Sequence, residues 1–321
     1  MNVLLTFDVE VWCNGWATLE QDFPASFERY VFGRSAEGDF ALPRTLAILD
    51  RYRLKGVFFV EPLFTARFGL EPLAIIVDLI QQAGQEVQLH LHPEWTDEAL
   101  SPLLPGVTSK RQHLSYYSRD EQVALIGHGI DFLRQARASA PNAFRSGSFA
   151  CNSDTFHAIV ANGLSFDCSI NPTLAVSQPG DVRDPRAGFC EPFAHEGLGL
   201  YPMSVFRDGF GRLRHAQIGA CSASELAQAM RDAHDARWEA FVLLSHNFEL
   251  MVPGRSRPDH IVLNRFEHVC RFLADNRDDF PTRGFHGLAL PTPPRGLGVP
   301  RTGRFATASR YVEQALRRIP R

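Results

Sequence analysis

Short apolar runs rich in β-branched and aromatic residues recur along the chain, each bounded by Gly, Pro or polar turns. They fall at residues 2–8, 56–60, 86–92, 143–146, 165–169, 198–203, 240–245 and, more weakly, 284–289. Between them lie longer segments with apolar positions at helical spacing, at 42–52, 70–83, 119–138, 153–161, 222–234 and 261–276. This alternation of strands and helices predicts right-handed crossovers and a mainly parallel sheet, and seven or eight repeats suggest one α/β barrel related to the TIM fold rather than two domains.

Two stretches are too long for plain connections: 11–40, which holds Trp12, Trp16, Phe23, Phe27, Tyr30 and Phe32, and the Pro- and Gly-rich 171–197. Loops of such length cover or line binding sites in many compact domains, although the aromatics could equally cap the barrel end. After residue 290 the sequence PTPPRGLGVPRTGRF reads as an extended linker leading into a basic helix at about 306–319. The expected organisation is therefore a barrel over 1–290 and an appendage over 291–321. Its helix is expected to dock on its own domain, although it could touch an anionic lipid or a partner.

Composition narrows the class. With 45% apolar and 21% charged residues the chain can bury a large core, which excludes a disordered or fibrous protein. A net charge of −3, with no basic block outside the tail, argues against nucleic-acid binding. The six cysteines lack CxxC spacing and are expected to be reduced thiols. No eighteen-residue apolar run predicts a membrane span, and the N-terminal MNVLLTFDVE lacks the features of a signal peptide, so a cytoplasmic location is expected.

In a barrel the strand C-terminal ends share one face, and the reactive residues cluster at those ends. TFDVE places Asp8 and Glu10 two apart on one side of an extended chain, able to divide into a base and a metal ligand. EVQLHLHPEW does the same with His90 and His92, with Glu94 following; two imidazoles beside a carboxylate from another strand match a three-ligand metal site open to water. AFRSGSFA offers Arg145 to orient a carboxylate and small residues whose backbone could approach an oxyanion. FDCS gives Asp167, and FVLLSHNFEL ends in His246, suited to a general acid.

Taken in order, TFDVE, HLHPEW, FRSGSF, FDCS and LLSHN resemble the five successive motifs of the polysaccharide deacetylases, the NodB-like carbohydrate esterase family four, over roughly residues 3–247. The resemblance implies a distorted (β/α)7 barrel that removes acetyl groups from N-acetylated sugars with a divalent metal, usually zinc. By position it makes Asp8 the catalytic base, His90 a metal ligand, Arg145 the residue holding the base, Asp167 a support for the site's charges and His246 the acid, with Leu244 lining the acetyl pocket.

Three positions depart from the common pattern. Val9 replaces the second of two adjacent aspartates, which moves the metal carboxylate to Glu10. Glu94 stands where the second histidine is usual, leaving His92 or, alternatively, Glu94 as third ligand. Gly147 and Ser148 replace a proline and an aromatic residue, so the oxyanion N–H is expected from Ser148, with Phe149 as an aromatic wall.

For the substrate, Trp12, Trp16 and Trp95 could stack on sugar faces, and Arg183, Arg186, Arg207, Arg255 and Arg257 could meet an anionic group. A nucleotide-linked or lipid-linked sugar intermediate of surface polysaccharide synthesis, such as lipopolysaccharide, is the expected substrate. The rivals are hydrolysis of a formamide or cyclic amide and a barrel that binds glycan without turnover.

Overall fold

A computed structural model of the chain describes residues 1–174 and 190–318. In chain order the elements are β1 (Asn2–Val9), α1 (Leu19–Phe27), a hairpin of β2 (Arg34–Ser35) and β3 (Gly38–Asp39), α2 (Leu42–Tyr52), β4 (Gly56–Val60), the single turn α3 (Thr65–Phe68) and α4 (Glu71–Gln82). They continue with β5 (Glu86–Leu91), α5 (Arg119–Gln135), β6 (Ala143–Ser146), α6 (Ser153–Ala161), β7 (Phe166–Asp167), the hairpin β8 (Phe193–His195) and β9 (Leu198–Leu200), and a second hairpin, β10 (Val205–Arg207) and β11 (Leu213–His215). α7 (Ala223–Asp235), β12 (Ala240–His246), α8 (His260–Asp275) and α9 (Arg304–Arg318) complete the described chain.

Eight strands form one sheet in the order β12-β1-β4-β5-β6-β7-β9-β8. Seven are parallel and only β8 runs antiparallel to its neighbour, as expected of a distorted (β/α)7 barrel. The gap between β9 and β12 is spanned by single contacts: Ala216 N–H donates to the Ser204 carbonyl at 2.7 Å, Leu244 N–H donates to the Ala216 carbonyl and Ile218 N–H to the Leu244 carbonyl, both at 2.9 Å.

Both faces of the strands are apolar because the sheet is covered inside and out. Val3, Leu5, Phe7 and Val9 of β1 face the helices and pack with residues such as Leu46, Ile80 and Leu125. Leu4 faces inward, with Val57, Phe59, Ala143, Val242 and Leu244, into a second cluster that contains no helix residue and fills the barrel. The helix starts follow local capping chemistry: Ser118 with Glu121, Asn152 with Thr155 and Ser222 with Glu225 form capping boxes.

Several expectations change. The 284–289 run is not a strand; Phe285 plugs the barrel floor and its N–H donates to buried Glu86 at 2.6 Å, so a side chain takes the role of a ladder partner. The expected strand 165–169 shrinks to Phe166–Asp167, and 198–203 to Leu198–Leu200. The 11–40 stretch is partly helical: Phe23 and Phe27 are buried, and Phe23 stacks on Phe68 at 3.7 Å. Most of 171–197, including Arg183 and Arg186, lies outside the described residues.

The break expected at residue 290 is not a break in packing. Thr292 donates to Glu239, the N–H groups of Arg295 and Leu297 donate to Glu191, and that of Gly303 to Gln228. No described helix is long and apolar enough to cross a membrane.

Candidate metal and catalytic site

Strand register brings the motifs together. β1 pairs with β12 so that Asp8 lies opposite His246, and β5 pairs with β6 so that His90 lies opposite Arg145. Even-numbered β1 positions face inward, so Thr6, Asp8 and Glu10 climb the barrel wall toward its mouth.

Glu10, His90 and His92 converge, all three buried, with ligand atoms within 4.8 Å of one another. Glu10 Oε1 lies 3.0 Å from His90 Nε2 and 3.1 Å from His92 Nε2, while its Oε2 accepts from the Trp12 indole at 2.6 Å. The far ring nitrogens are also held: His90 Nδ1 donates to the Arg145 carbonyl at 2.8 Å, and His92 Nδ1 to Glu94 at 3.3 Å. That arrangement points both Nε2 atoms at Glu10, the supporting pattern of metal-binding histidines. Glu94 therefore stands behind His92, outside the converging set, because Pro93 turns the chain into a 3₁₀ segment immediately after the strand. The donor chemistry, two imidazoles and a carboxylate in a buried cleft, suits a divalent ion.

Burial alone would lower the His92 pKa, but the Glu10 and Glu94 carboxylates raise it to about 10. Burial would raise that of Glu10, yet His92 and His90 hold it well below the ordinary range. Without an ion these groups form a charged pair, with a proton where a cation would sit.

Two further pairs flank this set. Asp8 meets Arg145, fully buried, at 2.5 Å; the same guanidinium donates to Thr6 Oγ1 at 2.9 Å and lies over the Phe59 ring at 4.3 Å. His246 Nδ1 donates to Glu249 at 2.8 Å, and its ligand atom lies within 4.8 Å of those of Asp8 and Glu10. Burial pulls the His246 pKa down, but Glu249 outweighs it and lifts the value to about 9. Glu249 is fixed in turn by Ser245 and by the Gly219 N–H.

Of the remaining candidates, Ser148 lines a cavity of about 580 Å³ with Trp12, Trp16, His92, Glu94 and Lys110, and holds a left-handed backbone (φ 54°), as does Phe149. Such strained non-glycine conformations cluster at functional sites. Leu244 is buried in the barrel cluster with Phe149 against it. Asp167 bonds Ser169, whose hydroxyl also accepts from the Ser146 N–H at 2.8 Å. It thus braces the β6 end rather than reaching Asp8 or the histidines, and burial raises its pKa to about 6.

Trp95 is corrected as a sugar platform: it is buried behind Trp16, Phe64 and Phe68 and shows no face to a ligand. One face of Trp16 carries the Lys110 ammonium at 3.6 Å. Arg207 is engaged at the second hairpin, its N–H donating to Pro300, away from the site. Arg257 lines a surface groove with Arg317, while Arg255 is exposed.

Sequence reasoning missed Glu249 and Glu61. Glu249 follows His246 by three residues, a spacing that could have flagged it as the partner of a catalytic histidine. Glu61 directly follows β4; it is buried, its Oε1 accepts from the Leu63 N–H at 2.8 Å and its Oε2 has no partner among the described residues. Burial lifts its pKa to about 8, so it is a neutral acid at pH 7 near His92.

No protein-family signature matches the sequence, and no curated protein matches it. Among solved structures the chain is similar to one described as a polysaccharide deacetylase from Mycobacterium smegmatis, with TM-score 0.51 and 19% identity over 100% of this chain and 92% of that one. A 4-alpha-glucanotransferase from Thermococcus litoralis gives TM-score 0.52 at 9% identity, covering 89% of this chain and 39% of its own. A family 4 carbohydrate esterase from Streptomyces lividans in complex with acetate gives TM-score 0.44 at 13% identity, over 91% of this chain and 97% of that one. The chain has the barrel fold of the polysaccharide deacetylases. Because a glucanotransferase shares that scaffold, the reaction has to be argued from the site.

Proposed function

We propose that the protein is a metal-dependent hydrolase that removes the N-acetyl group from an amino sugar. The observation that carries this reading is the convergence at one barrel mouth of a buried Glu10, His90 and His92 set with two separately supported proton-handling residues, Asp8 on Arg145 and His246 on Glu249. Glu10, His90 and His92 would hold the ion, and their nitrogen and oxygen donors suit zinc. When bound, such an ion supplies Lewis-acid polarisation of the acetamide carbonyl and lowers the pKa of water.

In this reading Asp8, held by Arg145, takes the proton of the attacking water. His246, whose raised pKa keeps it protonated near pH 7, donates from Nε2 to the departing amine while Glu249 holds Nδ1. The Ser148 N–H would face the carbonyl oxygen, with Leu244 and Phe149 beside the acetyl methyl. Asp167 supports the β6 end that carries Arg145. Trp12, whose indole is bonded to Glu10, and Trp16 would flank the sugar in the cavity they line. The proposed substrate is a cytoplasmic nucleotide- or lipid-linked intermediate of surface polysaccharide synthesis; Arg29, lining a second cavity with Trp12 and Glu249, supports an anionic group beyond the sugar.

The test is acetate release from nucleotide- and lipid-linked N-acetyl sugars by zinc-loaded protein. Asp8→Asn and His246→Ala should each abolish most turnover; near-normal rates in either would sink the assignment. Release of formate from formamides, with none of acetate, would transfer the site to a different C–N bond.

A further inference from the structure

α9 is built inside out. Its inner face carries charge: Arg310, 2% exposed, bonds Glu225 at 3.0 Å and Asp208 at 2.8 Å, Glu313 bonds Arg265 at 2.5 Å, and Arg317 bonds Asp259 at 2.7 Å. Its outer face is apolar. Phe305 is 94% exposed, Val312 60% and Leu316 40%, at spacings of seven and four that align them in one stripe. Tyr311 stands at the edge of the stripe and meets Phe210, 58% exposed at the tip of the β10–β11 hairpin, with ring centroids 6.1 Å apart. The hairpin and helix form one unit, since the Gly209 N–H donates to Thr307 Oγ1 at 2.9 Å.

A helix that only needed to cover the barrel would turn its apolar side inward and its arginines to water. Here four ion pairs hold the opposite orientation, and an exposed apolar stripe is a feature of surfaces that bind something. The rim identifies the occupant. Arg207, Arg212, Arg301 and Arg304 are exposed, and among the described residues none of their guanidinium groups has a carboxylate partner; the Arg212 and Arg301 backbone N–H groups donate to Asp208 and Asp232. The one acidic residue of α9, Glu313, is paired with Arg265 on the inner side. A second copy of the chain packed on this patch by two-fold symmetry would set arginines against arginines. Apolar and aromatic side chains beside exposed arginines suit the boundary of an anionic bilayer, where the rings enter the acyl region and the guanidinium groups meet phosphate.

We infer that α9 and the β10–β11 hairpin dock the protein on an anionic lipid surface. Arg317, adjacent to Leu316, lines the cavity shared with Trp12 and Glu249, so the docking face and the candidate site are neighbours. The inference stands on the patch and does not depend on the reaction proposed above.

The test is co-sedimentation of the full chain with vesicles of phosphatidylcholine alone and of equal parts phosphatidylcholine and phosphatidylglycerol. Binding is expected only to the anionic vesicles, weakening with added salt, and falling by about tenfold or more in a Phe305→Asp, Val312→Asp double variant. Because both side chains project into solvent, circular dichroism should show the variant folded. Wild-type protein that stays in the supernatant with anionic vesicles would overturn the inference, as would undiminished binding by the double variant. A solution dimer dissociated by the same two substitutions would assign the patch to a second copy instead.

Discussion

Gly147 tests how the site accommodates its altered motifs. A Cβ built on it would lie 2.6 Å from Cε1 and Nδ1 of His92 and 2.7 Å from Nε2, whereas ordinary contacts begin near 3.4 Å. Its backbone is outside the left-handed region, so alanine brings no backbone strain and acts only through this contact. To admit the methyl, the imidazole would have to retreat by roughly 0.8 Å, several times the ~0.2 Å tolerance of a metal–ligand bond. The ring has little room: Trp12 and His90 abut it with centroids at 4.7 and 4.8 Å, and Glu94 holds Nδ1.

If Glu10, His90 and His92 hold a divalent ion as proposed, Gly147→Ala should weaken its binding by about 10- to 100-fold, the usual effect of disturbing a residue that orients a ligand. The metal-free protein should lose about 1–3 kcal/mol from overpacking. Competition with a chromophoric chelator measures the first, and urea denaturation the second. The mechanism also requires non-additivity: with His92→Ala already present, Gly147→Ala should cost little further affinity. Wild-type affinity in Gly147→Ala, or losses that simply add, would refute it. The same contact accounts for glycine at this position: with His92 two residues after His90 on the strand, its ring occupies the space a larger residue would need.

Other perturbations follow from the buried charges. Arg145→Met leaves Asp8 buried without its cation and should cost about 3–5 kcal/mol by denaturant titration, with Asp8→Asn in the same chain recovering part of the loss. Because Glu249 lifts His246 to about 9, kcat/KM should fall as pH rises through that value, and Glu249→Gln should move the fall to lower pH; an unmoved alkaline limb would remove His246 as the acid. Glu61 is neutral in the fold up to about 8 but ionises near 4.5 when unfolded. Between those values the unfolded chain loses its proton first, so stability declines with rising pH, by up to about 5 kcal/mol. Glu61→Gln, measured in metal-free protein, should match the wild type below pH 4.5 and exceed it increasingly up to pH 8; parallel curves would show that Glu61 is ionised in the fold.

Much of the site was legible as spacing. Two-residue separations at the strand ends place Asp8 with Glu10, and His90 with His92, on common sides of their strands, because the strand period is two whatever the surroundings. The alternation of runs gave the parallel barrel for the same kind of local reason. The chain could not say which side chains meet. His92 was the expected third ligand in sequence and Glu94 its alternative; a 3₁₀ turn at Pro93 put the carboxylate behind the ring. Trp95 resembled Trp12 and Trp16 until the packing of Phe64 and Phe68 enclosed it. Glu61 drew no reading from the sequence, and the turn at Leu63 encloses its carboxyl.

The tail shows the division most clearly. Its arginines were visible as a basic helix, but whether they face water or the barrel depends on Asp208, Glu225 and Asp259, which lie 102, 85 and 58 residues earlier than their partners. The sequence by itself determined strand and helix periodicity and the chemical character of each strand end, properties set within a few bonds of the backbone. Only the tertiary structure decided ligand partnership, burial and the outward apolar face of α9, since each depends on register and packing between segments far apart in the chain.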